Sequence, residues 1–187
     1  LILAAFCAGF VDAVAGGGGL IQVPALLAVM PEAPVATLFG TNKLSSIFGT
    51  ATAAWRYSRR VAIPWGVVVP VAISAFVFSF IGAASVAWFP VELVRPVVFV
   101  LLLLVVAYVA LQPNLGVSEG ADEVVHPLWR SLVVGAGLGF YDGFFGPGTG
   151  SFLVFCFVRV FGMGFLGASG AAKVVNLATN AAALSFF

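Results

Sequence analysis

Gly9-Phe10-Val11-Asp12-Ala13-Val14-Ala15-Gly16-Gly17-Gly18-Gly19 decides how this chain folds. Apolar residues on both sides predict a membrane-crossing helix, yet four consecutive glycines stand inside it. A helix-interior glycine costs about 1 kcal/mol relative to alanine and a proline about 3, so a helix through this stretch is expensive and is expected to break, restarting near Leu20. Backbone N–H and C=O groups find no water at membrane depth. Non-helical chain is therefore tolerated there only where it is buried in protein or lines a cavity, so a break points to a substrate site. The restarted half-helix would aim free N–H groups and its positive dipole end at the occupant, which suits an anion. The plainer reading is that the glycines let helices pack closely. A nucleotide-binding loop would need a preceding strand and a downstream spacing that are missing.

The same stretch is written again further on. At a constant offset of 130 residues, Gly9-Phe10-Val11-Asp12 faces Gly139-Phe140-Tyr141-Asp142, and Gly16 and Gly18 face Gly146 and Gly148. Gly40 and Lys43 face Gly170 and Lys173, and Ala51 and Ala53 face Ala181 and Ala183. Glycines coincide easily in a chain with 22 of them, but an aspartate and a lysine do not in so uncharged a sequence. An internal duplication is the expectation, with Gly146-Pro147-Gly148-Thr149-Gly150 as the second break and a helix restarting near Ser151. If each broken segment crosses the bilayer once the repeats run parallel, and if it folds back on itself they are inverted.

Composition sets the class. Of 187 residues 62% are hydrophobic and 8% charged, where a soluble domain carries about 25% charged residues. Mean hydropathy is +1.17. Net charge is +1, which offers no basic surface to a nucleic acid. The two cysteines, Cys7 and Cys156, sit singly in apolar runs, so neither a disulfide framework nor a metal site is indicated. A crossing helix needs about 20 apolar residues, and the charge pattern gives segments at 1–30, 33–54, 63–88, 91–111, 128–161 and 165–187. These make a first repeat over 1–111, a polar linker over 112–127 holding Glu119, Asp122, Glu123 and His126, and a second repeat over 128–187. His126 reads as a solvated linker residue. The chain opens on Leu1 without a charged leader or cleavage site and closes on Phe187 in mid-segment, which predicts a part of a longer protein.

Trp55, Tyr57, Trp65 and Trp88 fit interfacial belts, and Arg56, Arg59 and Arg60, placed between the second and third segments, assign that end to the cytoplasm. Arg95, Arg130 and Arg159 sit near segment ends, where snorkelling accounts for them, and Glu32 and Glu92 read as interfacial. Asp12, Lys43, Asp142 and Lys173 are different, because they fall within the spans. A charge at the bilayer centre costs at least about 2.5 to 3.5 kcal/mol, so it faces the bundle interior or a wet path. Lys43, Ser46 and Thr50 share one helix face, and the twin face is Lys173, Asn176 and Asn180, with Asn42 beside the first stripe. With the backbone at Gly17, Gly18, Gly19, Gly148 and Thr149, these are the candidate substrate-binding residues. Lysine supplies a compact positive charge for an anion. The aspartates either pair with it or carry a proton, and the bland alternative is a structural bridge in each copy.

The glycine-aspartate stretch quoted first, Gly40-Thr41-Asn42-Lys43-Leu44, and Gly139-Phe140-Tyr141-Asp142-Gly143-Phe144-Phe145-Gly146-Pro147-Gly148 together resemble the TauE/SafE sulfite exporter family, the TSUP group of membrane permeases, nearest to its YfcA-like branch. The resemblance runs roughly from Gly9 to Ala183, and departs from it where the second motif reads Gly-Pro-Gly-Thr-Gly. It implies a duplicated helical transporter of about eight spans that moves sulfur-containing anions such as sulfite, sulfonates or sulfoacetate.

The expected protein is thus all-α, a polytopic helical membrane protein with duplicated repeats and glycine-broken helices. The expected function is secondary transport of a small sulfur-containing anion, possible proton coupling included, with an anion channel on the same site as the alternative. No enzyme activity, cofactor or nucleic-acid partner is expected. The partners are the anionic substrate, the lipid bilayer and, as a further option, a second copy in a homodimer. The location is the bacterial inner membrane, crossed several times.

Overall fold

A computed structural model describes residues 2–15, 17–86, 88, 96, 97, 99–101, 103, 104, 107, 111 and 127–187. The expected fourth segment at 91–111 lies largely outside the described residues. So do Gly16, Glu92, Arg95 and the linker with Glu119, Asp122, Glu123 and His126. Among the described residues every element is a helix: α1 (Ile2–Ala15), α2 (Gly19–Val29), α3 (Val35–Arg60), α4 (Trp65–Val86), α5 (Leu128–Phe144), α6 (Thr149–Arg159) and α7 (Phe165–Leu184). The helix limits follow the 130-residue offset. α2 and α6 are both 11 residues long and start at Gly19 and Thr149, while α3 and α7 start at Val35 and Phe165.

α4 has 22 residues and is long and apolar enough to cross a membrane unaided. α3 is longer, at 26 residues, but its run of Thr, Asn, Lys and Ser makes it far less apolar. It also extends past the expected end at 54 and carries Arg56, Arg59 and Arg60 on its own last turns instead of in a connection. Two effects favour this: cations offset the negative end of the helix dipole, and the Arg59 guanidinium lies over the Trp55 ring at 5.3 Å.

The surface is apolar. Ile2, Leu3, Phe6 and Phe10 of α1 and Ile73, Phe76, Val77 and Phe80 of α4 are all exposed, while Lys43, Asp142 and Lys173 are buried. A soluble protein arranges these classes the other way round. This is a helical membrane protein, with lipid as the solvent for its outer face. One apolar core joins Val68, Val71 and Ala75 of α4 to Leu153 and Phe157 of α6 and Ala171 and Val175 of α7. A second joins Val23 of α2 and Phe39 of α3 to Phe145, at the end of α5, with the Phe39 and Phe145 rings edge-on at 6.4 Å.

α4 and α5 make the most extensive helix pair. Gly135, Gly139 and Gly143 form one stripe on α5, and a Cβ on any of them would collide with the α4 backbone at Val71, Ala75 and Ser79 respectively. Small residues at this spacing let two membrane helices touch backbone to backbone. The Ser74 hydroxyl donates to the Leu132 carbonyl at 2.8 Å and the Ser79 hydroxyl to the Thr179 carbonyl at 2.9 Å, pinning α4 to α5 and α7.

Candidate functional site

α1 stops at Ala15 and α2 starts at Gly19. Between them the chain turns back along α1, because Gly18 rests against Ala8 and Asp12, where a Cβ would lie 2.5 Å from the Ala8 carbonyl oxygen. Ala8 is seven residues before the helix end, about 10 Å along the axis, so only a reversal brings Gly18 beside it. The Gly18 N–H donates to Asp12 Oδ1 at 3.4 Å, and the N–H groups of Ile21 and Gln22 both donate to the Gly18 carbonyl. In the other half α5 stops at Phe144 and α6 starts at Thr149. There Gly146 and Gly148 have φ of +92° and +83°, which L-residues avoid. The Thr149 hydroxyl donates to the Gly146 carbonyl and the Tyr141 hydroxyl to the Pro147 carbonyl, both at 2.7 Å. Phe152, one turn into α6, lies edge-on to Tyr141 near the end of α5, with centroids 5.5 Å apart.

The two breaks touch. A Cβ on Gly19 would lie 3.1 Å from Pro147 Cα, and one on Gly17 would lie 3.9 Å from the Ser151 hydroxyl. Around this junction the four charged residues pair crosswise between the halves. Lys43 Nζ donates to Asp142 Oδ2 at 2.6 Å, with both side chains 2% exposed. Lys173 Nζ reaches Asp12 Oδ2 at 3.2 Å, with side chains 7% and 19% exposed, and also donates to the Asp12 carbonyl. Gly146 makes room for the first pair, since a Cβ there would lie 2.9 Å from Lys43 Nζ. The alternative of bridges Asp12–Lys43 and Asp142–Lys173 is replaced by the pairs Lys43–Asp142 and Lys173–Asp12, so each ammonium already holds a carboxylate.

Two cavities flank the bridges. One of about 20 Å³ is lined by Asp12, Gly19, Asn42, Lys43, Ser46, Asp142, Gly146, Gly148, Asn176 and Asn180. The other, of about 90 Å³, is lined by Ala8, Gly9, Asp12, Gly18, Gln22, Ser45, Ser46, Gly49, Ala53 and Lys173. Most of the expected site residues are therefore brought together. Thr50, Thr149 and Gly17 line neither cavity. Thr50 donates to the Ser46 and Ile47 carbonyls of its own helix, at 2.9 and 3.2 Å, and Thr149 closes the second break. Ser45 lies beside the first polar stripe of α3, whereas Gln22 is outside the expected residues. Gln22 carried a signal, being the lone polar side chain of α2. Asn42 Oδ1 and Asn180 Nδ2 are buried without a hydrogen-bond partner. Among the described residues no group of three or more His, Cys, Asp or Glu could hold a metal ion.

An apolar-surfaced helical bundle with paired charges buried in its interior has the arrangement of a helical membrane protein with a central polar site. Comparison with known proteins places it more closely. The chain belongs to the family described as sulfite exporter TauE/SafE, whose profile matches residues 1–187. It is 38% identical to the probable membrane transporter protein ORF9 of a Sinorhizobium species, over all of this chain and 70% of that protein. It is 36% identical to a probable membrane transporter protein of Haemophilus influenzae, covering 72% of it, and 34% identical to the probable membrane transporter protein YfcA of Escherichia coli, covering 68%. These relatives are named as transporters and not as enzymes. No solved structure matches the chain.

Proposed function

We propose that the chain forms the core of a secondary transporter that moves a small sulfur-containing anion, such as sulfite, a sulfonate or sulfoacetate, together with protons. The observation that carries this reading is the crossed pairing of Lys43 with Asp142 and Lys173 with Asp12 at the junction of the two breaks. An anion can bind either ammonium only by displacing a carboxylate, and a displaced carboxylate left charged and buried is costly. Protonating the aspartate removes that cost. The groups facing Asp12 are Lys173 and, around the small cavity, Lys43 and Asp142, so proton and anion exchange places within one charge-balanced cluster.

Lys43 and Lys173 hold the anion, Asn42, Ser46, Asn176 and Asn180 supply hydrogen bonds, and the backbone of Gly18, Gly19 and Gly148 shapes the floor. The return of Gly18 to Ala8 and Asp12 supports a first break that folds back on itself, which favours inverted repeats, the arrangement in which one half rocks against the other around a fixed central site. The setting is the bacterial cell membrane, crossed several times, with Arg56, Arg59 and Arg60 on the cytoplasmic side.

Reconstitution in liposomes tests the proposal. Labelled sulfite should accumulate against its gradient when a proton gradient is imposed. Lys173→Met should reduce uptake on the order of 10-fold or more, the scale of losing one charge-assisted contact. Asp12→Asn should still equilibrate sulfite but no longer respond to the proton gradient. Uptake indifferent to the proton gradient in the unaltered protein refutes coupling, and conductance without accumulation identifies a channel.

A further inference from the structure

We propose that the small chamber between the two breaks is a recognition site for a monoanion that still carries an O–H group, and that it discriminates against oxyanions lacking one. This rests on the transport reading above and narrows its substrate class. The observation is the pair of bare amide atoms. Asn42 and Asn180 are 4% and 2% exposed, and both line the chamber. Asn42 Oδ1, an acceptor, and Asn180 Nδ2, a donor, lack partners. Buried polar atoms are nearly always paired, so each marks a place for a missing group. Whatever sits there must donate one hydrogen bond and accept another.

The offset shows that these atoms belong to no symmetric structural network. The position equivalent to Asn42 is Ala172, which has nothing to offer, and the position equivalent to Asn180 is Thr50, which is satisfied by its own helix. The chamber wall thus includes two residues that each carry an unpartnered amide atom, from different registers. Its volume of about 20 Å³ takes one water-sized group, since a water needs about 10–15 Å³. A single water fits it while Asp142 holds Lys43. When that carboxylate is released, the hydroxyl of an entering monoanion takes the water's place, donating to Asn42 and accepting from Asn180. Its charged oxygens replace the carboxylate on Lys43. A sulfonate has three acceptor oxygens and no donor, so it would set a lone pair against Asn42 Oδ1.

The test is competition against labelled sulfite on the purified, detergent-solubilised chain, at a pH where sulfite is mainly its hydrogen-bearing monoanion, with methanesulfonate as the rival. The unaltered protein should prefer hydrogen sulfite by about 10-fold, equivalent to about 1.4 kcal/mol, the scale of leaving a buried acceptor unpaired. Asn42→Ala, which installs the residue of the equivalent position, should remove most of that preference by weakening hydrogen sulfite alone. Asn180→Thr, likewise borrowed from the other half, should weaken hydrogen sulfite too and reads the same site should Asn42→Ala fail to fold. Equal affinity for the two anions in the unaltered protein, or equal weakening of both by Asn42→Ala, overturns the inference while leaving transport standing. Binding of neither anion overturns the transport reading and this inference with it.

Discussion

The two crossed bridges are made from equivalent positions, yet they are not equivalent. Lys43–Asp142 is short and sealed, with both side chains 2% exposed. Lys173–Asp12 is longer and reaches a cavity of about 90 Å³, with Asp12 at 19%. Asp12 also accepts from the Gly18 N–H, so its carboxylate has backbone support in addition to its lysine. Equal residues at equal offsets therefore fix who can pair, while the packing around each pair fixes how costly the pairing is to undo.

The comparison breaks most completely if the pairing is not crossed. Exchanging charge within the first half, D12K with K43D, sets two ammoniums against each other at one bridge and two carboxylates at the other. With each broken buried bridge worth about 3–5 kcal/mol, the two together remove most of a total stability of about 5–15, so the folded peak in fluorescence-detected gel filtration should fall sharply. Exchanging charge across the halves, K43D with D142K, keeps opposite signs together and should retain a folded fraction. Equal survival of the two double variants would show that the bridges do not pair as the geometry has them.

A smaller effect separates the bridges themselves. Lys43→Met strands a sealed carboxylate and should cost about 3–5 kcal/mol in thermal unfolding followed by tryptophan fluorescence. Lys173→Met should cost less, by at least about 1 kcal/mol, because Asp12 is partly exposed and keeps the Gly18 N–H. Adding Asp142→Asn to Lys43→Met should recover most of the loss. Equal destabilisation by the two lysine variants would make the bridges energetically alike.

Much of this was legible in the residues. Glycine and proline cost enough in a helix to mark where α1 and α5 stop, and charges in so apolar a chain can only turn inward. The partners of those charges were not legible. The offset aligns Asp12 with Asp142 and Lys43 with Lys173, and says nothing about which aspartate meets which lysine, since that depends on how two breaks 130 residues apart are juxtaposed. Thr50 and Asn180 look interchangeable on a helical wheel, but a threonine hydroxyl reaches its own helix carbonyls where an asparagine amide does not. α3 runs on to Arg60 where the arginine cluster suggests a connection, because a helix C-terminus is where cations are favoured.

The gentlest test concerns glycines that the offset pairs but the packing separates. Gly139 lies in the α4–α5 contact, where a Cβ would strike the Ala75 backbone, while Gly9, its equivalent on α1, has nothing within 4 Å of where a Cβ would stand. Gly139→Ala should therefore force α4 and α5 apart and cost about 1–3 kcal/mol, the usual range for overpacking a close contact. Gly9→Ala should be neutral or stabilise this chain by up to about 1 kcal/mol, because alanine is the better helix former where no neighbour objects. The two unfolding curves should move in opposite directions or by clearly different amounts. If Gly9→Ala destabilises as much as Gly139→Ala, the face of α1 that carries Gly9 is covered by another helix, and the difference between the halves reflects a missing neighbour and not the residues themselves.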